Sequence, residues 1–206
     1  MYKNFIWDFD GTLFNTYPKM LKAYVKTMQD FKVDISPAEI YRMLKTASSK
    51  DLAEKYQLDF AKFDQIYKNY EKNDSMPVFA YDDAKQTLET IQQLGGQHFL
   101  LTHRENRSAQ ALLTASDLVD YFVEIVGPEN QFPRKPDPTS LNYLIEKYQL
   151  NRAETVMIGD RPMDIDAGIG AGVSTIFYND ERLFTIDRAK HEVNSLFEIT
   201  QFIQNG

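Results

Sequence analysis

The stretch FIWDFDGT, residues 5–12, determines how the rest of the sequence is interpreted. Its first part is a short apolar run of the kind that forms a buried parallel strand. Two aspartates, Asp8 and Asp10, then Gly11 and Thr12 end the stretch. In an open α/β sheet, ligands bind beyond the carboxyl ends of the strands. Polar residues that end such apolar runs are therefore the candidate site residues.

Apolar runs and helical patterns alternate along most of the chain. Residues 5–9, 99–101, 123–126, 155–158 and 174–178 predict five buried strands. One predicted helix, 82–94, stops at Gly95-Gly96, and another, 137–148, begins at Asp137 as a cap with Pro138 in its first turn. A closing amphipathic helix is predicted over 195–203. This alternation predicts an α/β fold with a doubly wound, Rossmann-like parallel sheet.

A helical segment interrupts the alternation after the first strand. Residues 15–80 show several helical faces and no convincing strand, which predicts a small inserted cap domain within a core formed by residues 1–14 and 81–206. Ser36 to Glu39 predicts a capping box with Pro37 at the first helical position. The 45–50 loop separates two helical patterns. It is either a plain turn, in which Ser48 or Ser49 caps the next helix, or a substrate-contacting loop.

Composition excludes several classes of protein. The 206 residues carry a formal net charge of −7, which argues against binding to nucleic acid or to an anionic membrane surface. The absence of cysteine excludes disulfides, thiolate metal sites and a cysteine nucleophile. No signal-peptide hydrophobic region precedes Asp8, and no apolar stretch is long enough to span a bilayer, so a cytoplasmic location is expected. Oligomeric state is left open.

The polar residues that follow the predicted strands form one set. They are Asp8 and Asp10 after the first strand, Thr102 after the second, Lys135 in the loop after the third, and Asp160 and Asp164 after the fourth. Carboxylates about 4 Å apart repel by about 1 kcal/mol in water and about 4 kcal/mol at an effective dielectric constant near 20. A divalent cation would remove this repulsion. Oxygen ligands favour Mg²⁺, because the three histidines lack zinc-site spacing.

The DFDGT motif at 8–12 also suits covalent catalysis. A carboxylate such as Asp8 can attack phosphorus and form an aspartyl phosphate, which divides hydrolysis into two easier steps. A second acid two residues later, Asp10, can protonate the leaving oxygen and then activate water. Gly11 allows a sharp turn that brings backbone N–H groups towards a phosphate.

Four motifs in this order resemble the haloacid dehalogenase superfamily, and within it the phosphoglycolate phosphatase-like hydrolases with a helical cap. The motifs are DFDGT at 8–12, Thr102 after FLL, Lys135 in RKPDP, and GDRPMD at 159–164. The resemblance implies that Asp8 is the nucleophile and a Mg²⁺ ligand. Asp10 would be the acid/base and would lend the metal its backbone carbonyl. Asp160 would be a direct ligand.

The resemblance also assigns the remaining site residues. Asp164 would be a metal ligand or a neighbour of the ligands, and Thr102 and Lys135 would hold the phosphate. His103, with Arg104 after it, stands where relatives often have asparagine or glycine, and Arg161 stands where they often have threonine or serine. His103 is predicted to contact the phosphate. Both departures border the substrate and either tune specificity or face solvent.

The function implied is hydrolysis of a small phosphorylated metabolite through an aspartyl phosphate on Asp8. Phosphoglycolate, a sugar phosphate, a nucleotide and a pyridoxal-type phosphate all suit this site. A phosphosugar mutase keeps the four motifs and is an alternative. A non-enzymatic, phospho-accepting signalling or interaction domain is another, although a receiver domain would be shorter and would lack a cap. A dehalogenase should lack an acid at Asp10, and an ATP-driven pump would have threonine there.

Overall fold

A six-stranded, all-parallel sheet organises the larger of two compact units in the computed structural model, which describes residues 1–204. The strands are β1 (Asn4–Trp7), β2 (Gln97–Leu101), β3 (Phe122–Val126), β4 (Thr155–Gly159), β5 (Ser174–Tyr178) and β6 (His191–Val193). Their order across the sheet is β3-β2-β1-β4-β5-β6. The chain winds outward from β1 in one direction and then in the other, which confirms the predicted doubly wound α/β fold. The winding reverses between β1 and β4, and this is where such sheets bind ligands.

The smaller unit, Asn15–Val78, is helical. Its helices are α1 (Tyr17–Asp30), α2 (Pro37–Thr46), α3 (Ser49–Lys55) and α4 (Phe60–Asn73). Its interior is apolar and includes Met28, Ile40, Leu52 and Phe63, all at most 1% exposed. This unit therefore has a hydrophobic core of its own.

Two serines begin helices in this unit, and only one makes the full capping box. Ser36 accepts a hydrogen bond from the Glu39 backbone N–H at 3.1 Å, as predicted. The Glu39 side chain, however, accepts a charge-assisted hydrogen bond from Lys55 at 2.6 Å, so the predicted reciprocal half of the box is wrong. Ser48 does make both halves with Asp51, at 3.1 Å and 2.7 Å. The prediction that a serine of this loop caps the next helix is confirmed for Ser48.

The larger unit comprises Met1–Phe14 and the described chain from Phe79 onward. Its helices are α5 (Ala84–Gln93), α6 (Asn106–Ala115), α7 (Thr139–Lys147), α8 (Pro162–Gly170) and α9 (Gln201–Gln204). Helix α5 stops as predicted, with Gly95 in the left-handed region at φ +88°. Helix α7 begins one residue later than predicted: Pro138 takes the cap position in place of Asp137, and the Asp137 side chain accepts from the Thr139 N–H at 2.9 Å. Instead of one helix over 195–203, a 3₁₀ turn, Phe197–Thr200, precedes α9.

No helix in residues 1–204 is both long and apolar enough to cross a membrane.

A buried polar pair joins the neighbouring strands β1 and β2. Trp7 of β1 donates its indole N–H to Nδ1 of His98 at 3.0 Å, and His98 Nε2 lies 3.0 Å from the Leu88 carbonyl oxygen. The carbonyl accepts the Nε2 proton, so His98 is the neutral Nε2–H tautomer. Burial lowers the pKa of His98 to about 4.

The unfolding free energy is expected to depend on pH through His98. Its pKa is about 4 when folded and about 6.5 when unfolded, so the unfolded chain takes up the proton first as the pH falls. The stability that neutral His98 contributes is present above pH 6.5 and is lost as the pH falls towards 4. The loss is up to about 3 kcal/mol at about 1.4 kcal/mol per pKa unit.

Urea titrations between pH 7.5 and 4 test this prediction. The unfolding free energy should decrease less steeply with falling pH in His98→Gln than in the unaltered protein. As a control, His191→Gln, at a less buried histidine, should keep the steep loss. Equal slopes in His98→Gln and the unaltered protein would contradict the prediction.

Candidate active site

Three carboxylates meet where the winding of the sheet reverses. Asp8 directly follows β1, Asp160 directly follows the adjacent β4, and Asp164 lies in the first turn of α8. One oxygen from each lies within 4.8 Å of the others, and all three residues are at most 1% exposed. The backbone N–H of Asp8 still bonds the Ile158 carbonyl at 2.8 Å, so the ladder between the strands fixes the position of Asp8. We call Asp8, Asp160 and Asp164 the carboxylate group.

Gly159 gives Asp164 access to the end of β4. A Cβ on Gly159 would lie 2.3 Å from the Asp164 Cβ and 2.4 Å from its carboxylate, closer than such atoms can approach. Asp164 Oδ2 accepts a hydrogen bond from the Arg161 N–H at 3.1 Å, which orients the carboxylate. Only glycine at 159 permits this arrangement without a shift of α8.

A tight turn follows Asp8. Gly11 has φ +82°, a left-handed conformation that glycine adopts without strain, and its N–H donates to the Phe14 carbonyl at 2.8 Å. The turn returns the Thr12 hydroxyl to 3.5 Å from Asp8 Oδ2. The side chain of Asp10 lies outside the carboxylate group and pairs with Arg104 instead.

Lys135 is the buried cation of the site. Its Nζ lies 2.6 Å from Asp8 Oδ1, 2.6 Å from Asp164 Oδ1 and 3.0 Å from the Leu101 carbonyl oxygen, and its side chain is 0% exposed. Burial alone would lower the pKa of Lys135, but Asp164 and Asp8 raise it above its usual value. Lys135 is therefore an ammonium that bridges two of the three carboxylates.

The carboxylate group is nevertheless too negative for this one ammonium. Burial, together with the charge of neighbouring Asp164, raises the pKa of Asp8 to about 6, against the lowering effects of Lys135 and Arg161. One ammonium cannot neutralise three carboxylates, so a cation or a proton is favoured there. The hard oxygen donors and their close spacing fit a divalent metal ion.

Thr102 and His103 follow β2 and connect two loops. Thr102 is 3% exposed, and its hydroxyl oxygen accepts from the Arg104 N–H at 3.0 Å, so the hydroxyl proton remains for another acceptor. His103 Nε2 accepts the backbone N–H of Lys135 at 3.0 Å. Burial lowers the pKa of His103 strongly, and the charge of Lys135 lowers it further. His103 is therefore neutral and carries its proton on Nδ1.

The structure brings Asp8, Asp160, Asp164 and Lys135 into direct proximity, and it places Thr102 at the neighbouring strand end. Sequence reasoning did not find two contacts: the hydrogen bond of His103 to the Lys135 loop, and the pairing of Asp10 with Arg104. Arg104 and Asp10 follow the neighbouring strands β2 and β1, which makes the second contact possible but does not specify it.

Comparisons with known proteins agree with this geometry. The family model described as haloacid dehalogenase-like hydrolase matches residues 5–178. A phosphoglycolate phosphatase of Aliivibrio fischeri is 28% identical over 179 residues, which cover 81% of this chain and 79% of that protein. The solved structure of a hydrolase from Streptococcus pneumoniae is 34% identical, with a TM-score of 0.60 over 90% of this chain and 94% of that one. A HAD-hydrolase of Bacillus subtilis, whose structure is bound to magnesium, is 19% identical, with a TM-score of 0.72 over 98% of each chain.

These matches cover most of the chain. The family model extends from β1 to β5 and ends before β6. They confirm the predicted family and the predicted enzyme class, a phosphoric monoester hydrolase. The chain therefore belongs to the haloacid dehalogenase-like hydrolases.

Proposed function

We propose that the protein hydrolyses a small phosphomonoester in two steps, through a phosphoryl group carried by Asp8. The observation that carries this proposal is the buried carboxylate group bridged by Lys135 at the edge of the sheet where the winding reverses. A phosphate alone would be repelled there, whereas a phosphate accompanied by a divalent metal ion brings no net negative charge.

In the first step, an oxygen of Asp8 attacks phosphorus and the bond from phosphorus to the ester oxygen breaks. The leaving oxygen takes a proton from Asp10. In the second step, water attacks the same phosphorus, its proton passes to Asp10, and the bond from phosphorus to Asp8 breaks. Inorganic phosphate and the alcohol leave, and both acids return to their starting forms.

The neighbouring residues would hold the phosphate during both steps. The Thr102 hydroxyl has a proton to donate, and the Lys135 ammonium already lies 2.6 Å from Asp8 Oδ1. His103 keeps the Lys135 loop in place through its bond to the Lys135 N–H, and its Nδ1 proton can be donated to a phosphate oxygen. These groups would stabilise the negative charge of the transferring phosphoryl group.

Asp8, Asp160 and Asp164 would hold Mg²⁺, and the resemblance adds the backbone carbonyl of Asp10. Their fit rests on three buried carboxylates with oxygens within 4.8 Å and an excess of negative charge. When bound, Mg²⁺ would neutralise the carboxylates and polarise the phosphoryl group. The magnesium in the Bacillus subtilis hydrolase supports this choice of ion.

Hydrolysis is expected to require Mg²⁺. Chelator should abolish the release of phosphate from p-nitrophenyl phosphate, and added Mg²⁺ should restore it. Asp160→Asn should weaken Mg²⁺ binding in calorimetry by about 10-fold or more, because it removes one charged ligand, and should leave the circular dichroism spectrum unchanged. Asp166→Asn is the matched control, since Asp166 lies on α8 and pairs at the surface with Arg188. Full activity in excess chelator would refute the role of the metal.

Phosphoglycolate is the first candidate substrate, because the Aliivibrio fischeri relative is a phosphoglycolate phosphatase. A screen of small phosphomonoesters that measures released inorganic phosphate would test this choice. It would also separate hydrolysis from mutase activity: a mutase isomerises a sugar phosphate and retains the phosphoryl group. Release of phosphate in step with loss of ester is the expected result. Conversion of a sugar phosphate to its isomer without phosphate release would favour the mutase.

A further inference from the structure

Asp10 is held by an arginine from the neighbouring strand end. Arg104 Nε donates to Asp10 Oδ1 at 2.9 Å, and Arg104 Nη2 donates to the same oxygen at 2.7 Å. The two side chains are only 13% and 15% exposed. A charge-assisted pair this far from solvent is held more firmly than a surface ion pair.

The arginine is itself fixed on its other sides. Its Nη1 donates to the Ser108 hydroxyl at 3.2 Å, and its guanidinium carbon lies 5.7 Å from the centre of the Phe9 ring. Its backbone N–H bonds the Thr102 hydroxyl oxygen at 3.0 Å. The guanidinium therefore presents Asp10 with donors in a defined place.

Both donors reach the same carboxylate oxygen of Asp10. Oδ1 is thereby anchored, and the plane of the carboxylate can adjust only about this anchor. Oδ2 is the oxygen left to exchange a proton. A fixed carboxylate of this kind aligns proton transfer better than a side chain that samples several rotamers.

We infer that Arg104 is a positioning residue, which anchors Asp10 through Oδ1 so that Oδ2 gives the proton to the leaving oxygen and takes the proton from water. This rests on the acid/base role proposed for Asp10. Arg104 acts through Asp10 and does not itself touch the reacting atoms. Its loss should lower kcat and leave KM nearly unchanged.

The test uses the full chain with Mg²⁺ and p-nitrophenyl phosphate. In Arg104→Ala, kcat should fall by about 10- to 100-fold, as for a misplaced catalytic group, while KM changes less than about twofold. The nitrophenolate leaving group needs no proton, so the first turnover should stay fast and the attack of water should become slow. A burst of about one equivalent of nitrophenol should therefore precede the slow phase. Arg104→Lys, which keeps one donor, should recover part of kcat.

A double-mutant cycle separates this role from others. Adding Arg104→Ala to Asp10→Asn should cause no further loss, because the group that Arg104 positions is already absent. Arg107→Ala removes an exposed arginine of α6, the helix that follows Arg104, and should behave as the unaltered protein does. Thermal unfolding of each variant checks the fold, and Arg104→Lys carries the test if the alanine variant unfolds.

Several results would overturn the inference. One is an increase in KM with kcat unchanged in Arg104→Ala, as expected of an arginine that binds substrate. Another is the absence of a burst. A third is a further loss of kcat when Arg104→Ala is added to Asp10→Asn. Normal activity of Arg104→Ala beside a slow Asp10→Asn would defeat the role of Arg104 only. Full activity of Asp10→Asn would instead defeat the proposed function on which the inference rests.

Discussion

The Asp8→Asn protein is expected to show no phosphatase activity above the background of the uncatalysed reaction. The amide has nearly the shape of the carboxylate but lacks a nucleophilic anion, so no phosphoryl group can be transferred to the protein. The fold should persist, because Lys135 keeps its contact with Asp164 at 2.6 Å and the backbone of residue 8 stays in the ladder with β4.

This result is checked by phosphate release from p-nitrophenyl phosphate, with circular dichroism to confirm the fold. Asp166→Asn makes the same chemical change at a partly exposed acid outside the carboxylate group and should retain full activity. Substantial turnover by a folded Asp8→Asn protein would show that the phosphoryl group passes directly to water or to another residue.

The Asp10→Asn protein is expected to lose about 10²- to 10⁴-fold in kcat, the usual contribution of a general acid or base. An unactivated alkyl ester should show the full loss, because its leaving oxygen needs a proton. With p-nitrophenyl phosphate the rate of the first step should change little, and the rate of the attack of water should decrease. Comparing the two esters in steady-state and rapid-mixing experiments measures this difference. An equal loss in the first step for both esters would contradict the role of Asp10 as the acid.

The sheet was predictable because each of its first five strands is a nearly continuous apolar run, as expected of parallel strands covered on both faces. The edge strand β6 was not predictable. Its three residues are His191, Glu192 and Val193, and only Val193 is apolar. The first strand ends at Trp7 and not at residue 9, because the chain turns after Asp8, where the Phe9 carbonyl accepts the N–H groups of Leu13 and Phe14. An apolar pattern does not show where such a turn begins.

The carboxylate group was predictable for a similar reason. Asp8 and Asp160 end adjacent strands, so the topology alone brings them together. The pairing of Asp10 with Arg104 depends on the directions of side chains in two loops, which strand order does not specify. The same is true of the bond from His103 to the Lys135 N–H, because strand order does not show which ring nitrogen would accept it.

Helix caps show the limit of local patterns in another way. Ser36 with Glu39 and Ser48 with Asp51 offer equivalent capping spacing, yet only the second pair forms the reciprocal box. Lys55 lies close enough to draw Glu39 away, and this competitor comes from a different helix. A motif of four residues contains no information about it.

Detection of a phosphoryl group on Asp8 tests the central claim most directly. The Asp10→Asn protein is mixed with Mg²⁺ and p-nitrophenyl phosphate, quenched in acid and measured by intact-protein mass spectrometry, with peptide mapping of the adduct. The proposed mechanism predicts that the slow attack of water lets one phosphoryl group accumulate, and that it maps to Asp8. An adduct on any other residue would contradict the mechanism, as would continued turnover by Asp10→Asn when Asp8 is replaced as well.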